Sequence, residues 1–199
     1  MAESSRDRVR RHFASVQLTL LSIVVALILE NLLSVYWERP QPFESDALQW
    51  LFWLQAGLVL ATALSMWSGF ALSFNYLHLR QPTTLDIIAP FGLLITMNLA
   101  IGAMHPALPA GFLLASGSGS LLAGFILFLD TRNSRRRGKS GPVSALAIQI
   151  SIALLSIAGA GAIAFEWLGI PGACAVLAVA LFTQVTSIVG IARSWRLAT

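Results

Sequence analysis

The chain has 199 residues, 56% of them hydrophobic and only 11% charged, where a soluble domain carries about 25% charged residues. So little polar surface cannot solvate a globule of this size, which excludes a water-soluble domain and makes lipid the solvent. Formal charge is +4, from 13 basic and 9 acidic residues, and their placement along the chain points to membrane orientation rather than to nucleic acid.

Residues 1–14 form a basic flank with Arg6, Arg8, Arg10 and Arg11. Arg10-Arg11-His12-Phe13 ahead of an apolar run has the outline of a twin-arginine export signal. The run is too long for a signal core and no small-x-small cleavage site follows it, so the flank reads as the cytoplasmic lead of a first membrane helix.

That first span is predicted near 15–36. It contains Glu30 inside an apolar run from Val16 to Val35, and an intramembrane acid marks a functional site by default. Ser15, Thr19, Ser22, Ala26 and Glu30 recur at three- and four-residue spacing, a small, polar stripe ending at the acid. Gln17 and Asn31 fall on the other side. A helix polar on two sides is expected to be central in its bundle.

The second span is predicted near 47–70, with an extension through residues 71–80, and carries Gln55 and a ladder of small residues, Ala61, Ser65, Gly69 and Ser73. The third, near 85–104, opens on a capping box at Thr83–Asp86, contains Pro90 as a kink, and carries Asn98. The fourth, near 108–129, holds Ser116-Gly117-Ser118-Gly119-Ser120 within two small-residue lines. One is Gly111, Ala115, Gly119 and Ala123; the other is Ser116, Ser120 and Gly124. Such lines let helix backbones approach closely. Unwinding at the glycines, as in the broken helices of transporters, is the alternative.

A basic loop at 130–142 follows, with Arg132, Arg135, Arg136, Arg137 and Lys139. It sets topology, and Arg135, Arg136 and Arg137 suit anionic lipid headgroups. Spans five and six are predicted near 143–165 and 170–192, carrying Gln149 and Gln184, with Pro171 in the first turn of the last. Basic residues cluster in alternate gaps, whereas Arg39 lies among Glu38, Glu44 and Asp46. Both termini are therefore expected in the cytoplasm. Tyr36, Trp37, Trp50, Trp53 and Trp167 fit the outer interface and Trp195 the inner one.

The fold class expected is thus an all-α integral membrane protein, a six-transmembrane-helix bundle in the cell inner membrane forming one membrane domain. Catalytic chemistry is not expected. His12, His78 and His105 lie away from the span-four serines and from one another, which leaves those serines without a base and excludes a histidine metal site. Cys174 is the only cysteine, and neither a nucleotide loop nor a dinucleotide fingerprint occurs. No cofactor, metal or nucleic-acid partner is expected, and the chain is not read as an enzyme.

The buried polar side chains sort into an outer layer of Glu30, Asn31, Gln55 and Asn98 and an inner layer of Gln17, Gln149 and Gln184. The inner amides read as interhelical glue. The outer layer reads as a polar core for transport, giving a permease or channel-like protein for a cation, proton or small solute. A single bundle of this size leaves little room for a pore, so a homo-oligomer fits. The alternative is a non-transporting membrane partner, an assembly, signalling or sensor subunit acting through helix packing at Gly69, Gly119 and Gly124.

Overall fold

The computed structural model describes residues 5–38, 45–71, 84–105, 108–136 and 143–198. They form six α-helices: α1 (Ser5–Glu38), α2 (Asp46–Ala71), α3 (Thr84–Gly102), α4 (Pro109–Arg136), α5 (Val143–Ala164) and α6 (Ile170–Ala198). Helices are the form that satisfies every backbone donor and acceptor inside one segment, as a lipid environment demands. Five of them are long and apolar enough to cross a membrane. The exception is α3, whose apolar part is the shorter stretch Ile88–Gly102. The chain leaves the helix at Ala103, short of the expected end at Met104.

Pro90 sits in the second turn of α3, and the helix continues through it. The extension expected at residues 71–80 lies outside the described residues after Ala71, as do Thr83 and the side chains of Thr84 and Asp86 in the expected capping box. Trp195 is helical in α6, its side chain also undescribed.

Around the bundle the helices follow the order α1, α3, α4, α5, α6, α2, with α2 closing back on α1. Sequential neighbours run antiparallel: Gly92 of α3 meets Leu122 of α4, Gly117 of α4 meets Ala153 of α5, and Gly159 of α5 meets Val176 of α6. The two crossovers are parallel. Asn31 of α1 pairs with Asn98 of α3, while α2 lies along α6 through Ala47 to Cys174 and Gly57 to Leu181. This alternation gathers Trp37, Glu38, Asp46, Trp50 and Trp167 at one end, all exposed. Arg132 lies toward the other end.

Apolar side chains fill the middle. Phe52, Phe112, Leu113, Leu58, Ile152 and Leu177 are each at most 2% exposed. A belt of apolar residues, among them Phe91, Ile95, Phe125, Leu154 and Phe182, faces outward, as lipid contact requires. Such a belt in water would exceed any patch a monomeric soluble protein exposes.

One expectation about the arrangement is corrected. Span one was expected to be central, yet α1 is the least buried of the five membrane-length helices. Its neighbours are α2 and α3 alone at the level of substantial packing. Only one of its polar sides turns inward: Gln17, Leu21, Val24, Ile28 and Leu32 are buried. Ser15, Thr19, Ser22, Ala26 and Glu30, roughly opposite at 3.6 residues per turn, are all exposed.

Candidate functional site

α1 crosses the bundle surface with its buried seam on one side and a polar line on the other. The hydroxyls on that line are tied to their own helix. Thr19 Oγ1 donates to the Ser15 carbonyl at 3.0 Å and Ser22 Oγ donates to the Leu18 carbonyl at 2.9 Å. Back-bonding of this kind spends the hydroxyl proton and turns oxygen lone pairs outward. Ser22 Oγ also accepts from the Trp67 indole of α2 at 3.3 Å, which fixes that side of α1 to its neighbour.

Toward the aromatic end comes Glu30, exposed on the same line. It is seven residues short of Trp37, about 10 Å along the axis at 1.5 Å per residue. Beyond it Ser34, also exposed, donates to Glu38 Oε1 at 2.9 Å. Tyr36 anchors this end, with its ring 6.1 Å from Phe52 and 5.8 Å from Trp53.

Among the residues expected to form the outer polar core, two meet directly. Asn31 Nδ2 donates to Asn98 Oδ1 at 2.7 Å, joining α1 to α3. Gln55 is 1% exposed on α2, and its Nε2 has no hydrogen-bond partner. Glu30 points away from the bundle. The four residues lie toward the end of the bundle that carries Trp37 and Trp50, and they are not gathered into one cavity within a single chain.

The inner layer behaves differently. Gln17, Gln149 and Gln184 are all buried, and Gln149 Nε2 reaches Gln184 Oε1 at 3.5 Å across the α5–α6 seam. Ser156 Oγ and Gln184 Nε2 are buried without a partner.

The Ser/Gly run of span four is helical throughout, so the unwinding alternative is not the conformation found. Its two small-residue lines serve different neighbours. A Cβ on Gly119 would stand 3.0 Å from Thr96 Oγ1 of α3, whereas one on Gly124 would be 3.8 Å from Gln149 Cβ of α5. Gly69 is half-buried on α2. Sequence reasoning passed over two further close approaches, Gly117 against α5 and Gly159 against Val176. The signal for Gly159 was the run Ala158-Gly159-Ala160-Gly161.

Arg135 and Arg136 close α4, but their side chains and all of Arg137 lie outside the described residues. Among the described residues no group of three His, Cys, Asp or Glu side chains is placed to hold a metal. Comparison with protein-family models, with curated proteins and with solved structures finds no match to this chain.

Proposed function

We propose that the protein is a subunit of a homo-oligomeric cation- or proton-conducting permease of the cell inner membrane, with α1 lining a path between copies. The observation that carries this is the outward polar line of α1, with Ser15, Thr19, Ala26 and Glu30 exposed opposite its buried seam and Ser22 at its α2 edge. A carboxylate held against lipid costs up to about 3 kcal/mol at mid-span and less toward either end, a cost removed where the residue faces a hydrated path. The interior of one chain is packed with apolar side chains, which favours a path between chains over one within them.

Copies in a membrane share one orientation, so a closed ring has its axis along the membrane normal and brings each Glu30 to the same depth. A ring of acidic side chains selects cations, and the outward hydroxyl oxygens of Ser15 and Thr19 extend it with acceptors. In this reading all six helices cross, α3 as a short crossing, and the basic end with both termini faces the cytoplasm.

A second reading, a non-transporting partner subunit, draws on the small size of Ser15, Thr19, Ser22 and Ala26, which suits close helix approach. Flux separates the two. Purified protein in liposomes is expected to pass a monovalent cation or protons, and Glu30→Gln to lower that flux roughly tenfold, equivalent to about 1.4 kcal/mol on the barrier. Absent flux, or flux indifferent to Glu30→Gln, overturns conduction. A disulfide from Ala26→Cys in a Cys174→Ser background would still support contact between copies on this face.

A further inference from the structure

We infer that the Gln149–Gln184 pair holds buried water inside the bundle, at the seam of α5 and α6. Each primary amide offers two donors and two acceptor sites. The one bond between them uses a single donor and a single acceptor, at 3.5 Å, the far end of hydrogen-bond range. Gln184 is 1% exposed and Gln149 7%, and the Gln184 Nε2 donor has no partner. Lipid offers nothing to satisfy it, so an orphan amide in this seam is strongly disfavoured unless something else accepts its hydrogens.

The chemistry of that acceptor is narrowly bounded. Residues 110–129, 143–165 and 170–190 contain no charged residue, and Glu166 lies between the last two in the α5–α6 turn, so the chain beside the pair offers no charge to balance an ion. Room beside the pair is limited as well, since the two side chains are 7% and 1% exposed and stand within 3.5 Å of each other. The occupant is therefore small and neutral, and it must accept from Gln184 while donating to a remaining carbonyl lone pair. Water meets all three conditions, and buried waters typically make about three such bonds. Glycine at 124 keeps the α4 side of Gln149 narrow, with its Cβ position 3.8 Å from Gln149 Cβ. Buried Ser187 follows three residues along the same face of α6. The inference stands independently of Glu30.

Water-edited solid-state NMR of the full chain in bilayers, with glutamine side-chain nitrogens labelled, reads the site directly. Exposed Gln49 serves as the hydrated reference. The Gln184 and Gln149 side-chain amides are expected to receive water magnetisation despite their burial, and Gln184→Leu to abolish that transfer at Gln149. The same variant is expected to lower the thermal midpoint by roughly 2–4 °C. A wild-type Gln184 amide silent to water while Gln49 responds overturns the inference, as does a higher midpoint for Gln184→Leu. Should the variant not fold, the wild-type spectrum decides alone.

Discussion

Glu30 and Asn31 are adjacent in the chain yet meet different surroundings, because each helical step turns the side chain by about a quarter of a circle. Asn31 is carried to the α3 side, where its amide donates to Asn98 Oδ1 at 2.7 Å. Glu30 is carried to the outer line. The Asn31–Asn98 bond spans a membrane seam, where such bonds average about 0.6 kcal/mol. A double-mutant cycle of Asn31→Ala and Asn98→Ala is expected to give a coupling of that size in unfolding, and zero coupling would show that the pair does not act together.

Glu166 makes a different residue-scale case. Its φ is 59°, a conformation that costs a non-glycine residue about 1 kcal/mol. It is held there by the end of α5. Glu166 N donates to the Ile163 carbonyl at 2.9 Å and Trp167 N to the Ala162 carbonyl at 2.8 Å, the paired bonds of a Schellman cap. Glu166→Gly is therefore expected to raise stability by about 1 kcal/mol in chemical unfolding. A drop would mean that the acid at this exposed turn contributes more than the strain costs.

Counting along apolar runs put Asn31 and Asn98 at one level, and their hydrogen bond agrees with that. Lateral direction was not legible in this way. Two polar sides on α1 do not reveal which one neighbours will cover, since that depends on packing partners from other parts of the chain.

The same division holds at the scale of elements. Four-residue spacing in α4 disclosed lines of close approach, and Gly119 does lie against α3. It did not disclose the close α4–α5 approach at Gly117, which belongs to neither line. A Cβ there would stand 3.0 Å from Ile157 Cγ1, 3.3 Å from Ser156 Cβ and 3.4 Å from the Ala153 carbonyl. The isoleucine can turn aside, but the carbonyl belongs to a continuous helix. Gly117→Val is expected to cost about 1–3 kcal/mol by overpacking. Gly161 is the matched control: nothing lies within 4 Å of a Cβ there. Gly161→Ala is expected to be neutral or stabilising by up to about 1 kcal/mol through helix propensity. Equal effects at the two sites would show that the α4–α5 seam is not close-packed around Gly117.

At the scale of the whole molecule, orientation and assembly are linked through α1. The alternation of helices places Glu38, Asp46 and the exposed tryptophans at one end. Arg132 of α4 lies toward the other, and the charge pattern alone assigns that end to the cytoplasm. α3 was harder to read because its apolar part, Ile88–Gly102, is about 22 Å long at 1.5 Å per residue, against a hydrocarbon core of about 30 Å. If α3 failed to cross, α4, α5 and α6 would invert relative to α1 and α2. The basic loop would then lie outside, against the charge rule. A cytoplasm-active reporter fused after Lys139 tests this, with activity expected there and none after Pro109. The opposite pattern at these two sites would overturn the orientation, whether by inversion of all six helices or by α3 failing to cross. In the second case the acidic depth of Glu30 would survive, since it rests on α1 alone, but the C-terminus would move to the far side. A shared path lined by α1 therefore depends on the copies and not on the crossing number. Cross-linking at Ala26→Cys and the two reporters thus test separate parts of the same architecture.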